Sequence, residues 1–218
     1  DRSVLLVEAG PDAATMDEFP KDLLDAGLMT GVMPTHPNNW NFVANLTPTL
    51  PYTVARGKVL CGSSALNCTY FIRATKHDHD RWAAEGFNEW SYEACLPFWK
   101  QIETDATYGP SDVHGTEGPV NIYRPQGDEI EPITQAFFAA SKELGFVEEA
   151  DKNDGRGEPG YGLLPMNQRD GIRLNTGISY IMPARSRENL TVRGNTLARK
   201  VILEGTKVVG VEVETNGK

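Results

Sequence analysis

The sequence predicts a mixed α/β fold, and three observations carry that expectation. Val4-Leu5-Leu6-Val7 is a continuous branched apolar run that ends in Glu8-Ala9-Gly10-Pro11, the pattern of a fully buried parallel strand entering a loop. Helical periodicity with cap signals occupies the middle of the chain, and short strands close it. At 218 residues and 39% apolar content the chain is long enough to bury a sizeable core.

Taken in order after the first strand, residues 12–51 are rich in Pro, Asn and Thr and are expected to be mostly irregular, with a weak helical stretch near residues 19–28. Residues 54–60 read as a short strand. Gly62-Ser63-Ser64 then opens residues 65–72, whose serine start and apolar content suit a helix N-terminus. Residues 77–86 and 91–104 read as helices, the second capped by Ser91, with Pro97 either kinking it or falling in its first turns. Gly115 and Gly118-Pro119 bracket a strand at 120–123, and residues 132–144 form an amphipathic helix with Gly145 as its cap. Residues 151–162 are a charged, glycine-rich loop, and residues 176–182 are helical and stop at Pro183. Residues 190–192, 198–203 and 208–213 form a β-meander whose last two strands join through a turn at 204–207.

Composition narrows the function classes. Thirty acidic against 21 basic residues give a net charge of -9, and the basic residues are scattered, which argues against nucleic acid as a partner. No apolar run approaches the roughly 18 residues of a membrane span, and the start carries no signal-peptide core. Cys61, Cys68 and Cys95 cannot all pair and none has zinc-ligand spacing, so no metal is expected. A reducing, cytoplasmic setting fits the cysteines better than secretion, although the sequons at Asn45, Asn67 and Asn189 count toward secretion. The chain opens without Met directly in a strand and ends just after another, so both ends read as cuts.

Two stretches carry chemistry. In a dinucleotide-binding unit the second strand ends in a carboxylate that accepts hydrogen bonds from ribose hydroxyls, and Glu8 stands at such a place, although a surface glutamate ending a strand has the same pattern. The glycine loop of that unit is absent, because the chain begins after it. Small residues at Cys61, Gly62 and Ser63 let backbone approach a planar or phosphorylated ligand, although an ordinary helix cap has the same composition. Of the histidines, His77 and His79 lie beside Asp78 and Asp80 on a solvated charged face, and His114 fits a structural turn.

Residues 55–73 contain Arg56-Gly57-Lys58-Val59-Leu60-Cys61-Gly62-Ser63-Ser64-Ala65-Leu66-Asn67-Cys68, with Arg73 following. This resembles the first signature of the glucose–methanol–choline (GMC) oxidoreductases: Arg-Gly-Lys/Arg-x-Leu/Ile-Gly-Gly-Ser-Ser-x-x-Asn-Gly/Ala, then an arginine. Further stretches match in the family's order: Val7-Glu8-Ala9-Gly10-Pro11, Asn39-Trp40-Asn41-Phe42, Asp78-His79-Asp80-Arg81-Trp82, His114-Gly115-Thr116-Glu117-Gly118-Pro119, Gly171-Ile172-Arg173 and Asn189-Leu190-Thr191-Val192. On these the chain is identified as a member of that family.

The resemblance implies a Rossmann-like FAD-binding portion over residues 1–75, part of the GMC substrate-binding domain over 76–185, and a return to the FAD-binding domain over 186–218. It implies that Glu8 binds the adenosine ribose, that Arg56, Gly57, Leu60, Gly62 and Ser63 lie along the pyrophosphate, that Asn67, Cys68 and Thr69 lie against the isoalloxazine, and that Ala198 contacts adenine. Trp40 joins the same FAD-binding set. Leu66 stands where some members carry a flavin-linked histidine, so non-covalent FAD is implied. Cys61 replaces a family glycine, which calls either for φ below zero or for a rearranged loop. Cys68 replaces a Gly or Ala, and reads as a small buried apolar filler rather than as a thiol that tunes or reacts with the flavin.

The implied reaction is oxidation of a small alcohol by hydride transfer to flavin N5. The family's catalytic histidine and its companion fall beyond Lys218, so no catalytic residue is expected in this chain, and the remaining polypeptide is an expected partner. Hydroxynitrile lyases and fatty-acid photodecarboxylases share the pattern, and a non-catalytic piece of a nicked protein fits it too.

Overall fold

A computed structural model describes residues 2–157 and 159–215. The chain forms two compact units, one made of Asp1–Cys68 with Gly171–Lys218 and the other of Thr69–Asp170.

The first unit begins with β1 (Val4–Val7), followed by the one-turn helix α1 (Lys21–Leu24) and the antiparallel pair β2 (Phe42–Thr47) and β3 (Leu50–Val54). Its core gathers Ala13, Phe19, Leu23, Leu24, Val59, Ala65 and Leu66. The β2–β3 hairpin falls where irregular chain was expected, and the strand expected at 54–60 does not form. Pro51 is tolerated because a two-stranded hairpin leaves edge positions that need no N–H. Residues 55–60 are tied instead to other segments, through Lys58 N to Asn38 O at 2.7 Å and Leu60 N to Pro11 O at 3.0 Å.

The expected helix at 65–72 is also replaced. Gly62–Ala65 makes one 3-10 turn, after which the chain leaves helical geometry. The physical reason lies in the acceptors: Arg173 takes the carbonyls of Ala65 and Asn67, which a continuing helix would have needed for its own ladder.

In the second unit the expected helices form, but the helix expected to reach residue 104 stops at Ile102. The short strands at 103–105, 147–148, 160–161 and 168–169 were not expected, the third of them falling in the expected loop. α2 (Lys76–Ala84) starts with a capping box between Thr75 and Asp78, and α3 (Tyr92–Ile102) starts at Ser91, whose hydroxyl accepts from Ala94 N. Pro97 lies inside α3, which runs directly into β4 (Glu103–Asp105), parallel to β5 (Val120–Ile122). Gly115 and Gly118 permit this, since a Cβ at either would fall within about 2 Å of the Lys100 or Ile102 backbone. α4 (Pro132–Glu143) starts on its proline and ends at Gly145, with φ 84°. β6 (Val147–Glu148) and β7 (Gly160–Tyr161) pair in parallel, and β8 (Gln168–Arg169) closes the unit. His79, expected on a solvated face, is buried, with rings of Trp82, Tyr92 and Trp99 around it and its Nδ1 2.7 Å from Trp90 O. His77 is exposed as expected.

The chain returns to the first unit through β9 (Ile172–Arg173), a π-helical turn at Gly177–Ile181 and α5 (Met182–Ala184). The helix was expected to stop at Pro183, but this proline sits in the first turn of α5, where its missing N–H is not needed. β10 (Leu190–Arg193) pairs in parallel with β1, while β11 (Thr196–Glu204) and β12 (Lys207–Thr215) form an antiparallel hairpin around Gly205, with φ 61°. The expected meander is therefore two separate pairings, because the Gly194-Asn195 turn sends β11 away after Thr196 N has bonded to Glu8 O. The parallel direction of β1 is as expected, but Val4 and Leu5 are half exposed rather than buried, since β10 is its one strand neighbour among the described residues.

Candidate functional site

The end of β1 and the loop after β3 lie backbone against backbone. A Cβ on Gly10 would fall 1.9 Å from Lys58 O, so only glycine allows this approach. The Glu8 carboxylate folds over the turn and accepts from Gly10 N at 2.7 Å. Burial raises its pKa, and the Gly10 and Ala9 amides together with the charge of Lys58 pull it back. The result is a half-buried carboxylate fixed at the strand end.

Asn39 organises the loop from below. Its Oδ1 accepts from Asn41 N at 2.9 Å and Arg56 N at 3.1 Å, while its Nδ2 reaches Val32 O and Met33 O. Trp40 N donates to Arg56 O at 2.9 Å, and Lys58 Nζ stands 5.0 Å above the Trp40 ring. The loop then closes on itself. Gly57 N donates to Ser63 Oγ at 3.0 Å, and a Cβ on Gly57 would meet the Gly62 carbonyl at 2.2 Å.

Cys61 and Gly62 are both left-handed, at φ 80° and 57°. The expectation of negative φ at Cys61 is therefore not met: the cysteine takes a left-handed conformation, at a cost of about 1–2 kcal/mol. Burial pushes its thiol up to about 12, so the sulfur is neutral near pH 7 and packs beside Gly177. A Cβ on Gly62 would meet nothing within 4 Å, which leaves the outer side of this turn bare. Ser64 Oγ locks the turn, bonding Cys61 O at 2.8 Å and Thr176 N at 3.1 Å.

The structure thus joins Trp40, Arg56, Gly57 and Ser63 directly in one hydrogen-bonded loop, and brings Glu8 to it through Gly10 and Lys58. Leu60 belongs to the same loop, but its side chain is buried, so only its backbone can face a ligand. Asn67 and Cys68 are exposed at the end of the first unit, so Cys68 is not the buried filler that was expected. Thr69 begins the second unit, buried and at φ 63°, with its carbonyl accepting from Asn167 N at 2.8 Å. Ala198 is exposed on β11 at a bulge just past Thr196.

Arg173 matched a family stretch but drew no role from sequence. It is 1% exposed and donates from Nε to Asn67 O at 3.0 Å, from Nη1 to Ala65 O and Leu23 O, and from Nη2 to Leu28 O. A lone arginine between Ile172 and Leu174 was the available signal.

In the second unit, the buried charges collect around His114. Its Nδ1 lies 2.8 Å from Glu103 Oε1 and its Nε2 lies 2.7 Å from Asp151 Oδ2. Arg73 Nη2 stands 2.6 Å from Glu103, and Arg124 Nη1 stands 2.7 Å from Asp105. Burial alone would lower the His114 pKa, but its contacts with Asp151 and Glu103 outweigh burial and raise it to about 9. Three carboxylates therefore face two guanidinium groups and one imidazolium. Glu103, Asp105 and His114 are close enough to hold a metal ion, but Glu103 Oε1, Asp105 Oδ2 and His114 Nδ1 already serve these ion pairs, while Glu103 Oε2 has no hydrogen-bond partner among the described residues. The node is structural in its chemistry. Among the described residues no helix is long and apolar enough to cross a membrane.

Comparison with known proteins places this geometry. Residues 23–218 match the family model described as GMC oxidoreductase. The chain is 36% identical over 215 residues to a GMC-type oxidoreductase in the thcA 5' region of Rhodococcus erythropolis, covering 99% of this chain and 42% of that protein. It is 33% identical over 221 residues to the mitochondrial choline dehydrogenase of Mus musculus, covering 99% of this chain and 36% of that one. Pyridoxine 4-oxidase from Mesorbium loti superposes with a TM-score of 0.88 at 26% identity, over 99% of this chain and 42% of that structure. The chain spans about two fifths of the length of these relatives.

Proposed function

The chain belongs to the GMC oxidoreductase family, and from that premise we propose that it supplies part of the FAD site of an enzyme that oxidises a small alcohol. The observation that carries this reading is the double backbone approach at Gly10–Lys58 and Gly57–Gly62, which leaves the Gly62 turn bare beside a fixed Glu8 carboxylate. Bare backbone lets a flat or phosphorylated group approach, and a carboxylate at a strand end suits ribose hydroxyls, so the residues present fit FAD.

In this reading Glu8 accepts from the ribose, and Ala198 offers backbone to adenine. Trp40, Arg56, Gly57, Leu60, Gly62 and Ser63 follow the pyrophosphate side, and Asn67, Cys68 and Thr69 support the ring. When bound, FAD supplies a two-electron acceptor for the alcohol carbon. The chain's own residues bind and orient. Leu66 offers no nucleophile for a flavin bond, which supports non-covalent binding. The proton acceptor is assigned to polypeptide outside this chain, a partner consistent with the exposed Val201, Leu203, Val209 and Val211 on the terminal hairpin. Three free cysteines support a reducing, cytoplasmic setting.

Choline and pyridoxine, which the names of the relatives give as their substrates, are both alcohols. The test takes the intact protein, denatures it and looks for FAD released into the filtrate, then adds choline, pyridoxine and simple primary alcohols to the native protein without oxygen. Released FAD and bleaching of the flavin band by at least one alcohol are expected. A flavin that no alcohol reduces points to the non-redox members of the family instead.

A further inference from the structure

Arg173 carries a positive charge that no described carboxylate neutralises. Its guanidinium bonds carbonyls alone: Asn67 O at 3.0 Å, Ala65 O at 3.2 Å, Leu28 O at 2.6 Å and Leu23 O at 2.5 Å. The other buried arginines differ, with Arg73 lying 2.6 Å from Glu103 and Arg124 2.7 Å from Asp105. Asp25, Cys68 and Asp22 act on Arg173 at longer range, and burial pulls its pKa down, but an arginine remains protonated.

A buried cation without a counterion is unfavourable, and a core that needed only the fork's geometry could have supplied a carboxylate for it. The fork meets the backbone at the end of the Gly62 turn, holding Asn67 O from the core side while the Asn67 and Cys68 residues are exposed. We propose that Arg173 is a positioning residue for a bound flavin, fixing the Asn67–Cys68 backbone and placing an unneutralised positive charge behind it that favours the reduced ring. Hydride from the alcohol would bring two electrons and one proton to a bound flavin and raise its negative charge by one, and the fixed charge of Arg173 would favour that state. This inference rests on the FAD reading of the same loop.

The experiment compares the intact holoprotein with its R173Q and R173K variants, measuring FAD content first and then the flavin midpoint potential by spectroelectrochemical titration. R173Q removes charge and fork, and is expected to weaken the preference for reduced over oxidised flavin at least tenfold, about 30 mV lower for a two-electron couple. R173K keeps the charge and loses the fork, and is expected to stay within threefold of the parent. A flavin-loaded R173Q with the parent's potential overturns the assignment. Where R173Q does not fold, R173K decides alone: a shift of tenfold or more despite the retained charge overturns it. A parent protein that takes up no FAD overturns the FAD reading as well, which separates the two failures.

Discussion

Gly10 shows how one missing side chain builds the site. With Lys58 O only 1.9 Å from a would-be Cβ, and both partners backbone, nothing flexible can give way. Gly10→Ala is expected to destabilise the fold by about 1–3 kcal/mol or more, read as a lower urea midpoint, and to release FAD. Glu8 and the Gly62 turn were visible in the sequence because their chemistry is local: a carboxylate ending an apolar run, and small residues in a row. Arg173 was not, since its meaning depends on carbonyls at Leu23, Leu28, Ala65 and Asn67 that only the fold brings together. Cys61 is an intermediate case: its place in the turn was legible, but its left-handed backbone was not.

Elements with their own start and stop signals were the legible ones. α3 and α4 begin at Ser91 and Pro132 because caps and proline act over a few residues, while α2 was expected at 77–86 and its Thr75 cap emerges only from the structure. Thr75 both accepts from Asp78 N at 3.3 Å and donates to Asp78 Oδ2 at 2.8 Å. Thr75→Ala is expected to cost about 1 kcal/mol, measured by thermal or urea unfolding, and to leave the flavin spectrum unchanged. The β2–β3 hairpin was missed because Asn45 and Pro51 masked a strand whose residues are almost all exposed and so carry no buried-face alternation. The absent helix at 65–72 was missed for a tertiary reason, since its carbonyls are captured by a side chain more than a hundred positions away. β10 looked like the first strand of a meander, and only its parallel register with β1 reveals otherwise.

At the scale of the whole molecule, each unit has its own kind of interior. The first relies on an apolar core, whereas the second adds an ion-pair node whose members Arg73, Glu103, Asp105, His114, Arg124 and Asp151 have no periodic spacing that a sequence could reveal. The node gives the protein a pH dependence. His114 has a folded pKa of about 9 against 6.5 ordinarily, so it favours the folded state fully below about pH 6.5, and that contribution fades as pH rises through 9. Its size is at most about 3 kcal/mol, since each tenfold gain in proton affinity is worth about 1.4 kcal/mol. Asp151 works in the opposite sense: burial raises its pKa, but the bond to His114 and the Asn153 amide more than offset this, so its support is lost as pH falls below the usual carboxylate range. Unfolding curves from pH 6 to 10 are expected to show a stability loss that His114→Gln flattens while lowering stability at pH 7. An equally steep loss in the variant assigns the pH dependence to other groups.

If the Gly62 turn and the residues following it support a flavin, bound FAD shields the Cys68 thiol from alkylation. Cys68 is exposed, whereas Cys61 is only partly accessible and burial pushes its thiol up to about 12. Iodoacetamide footprinting of the intact protein at pH 8, with and without FAD, is expected to leave Cys61 unmodified in both states and to show Cys68 reacting at least tenfold more slowly when FAD is bound. Equal modification of Cys68 in the two states, with FAD demonstrably bound, would place the flavin away from the Gly62 turn.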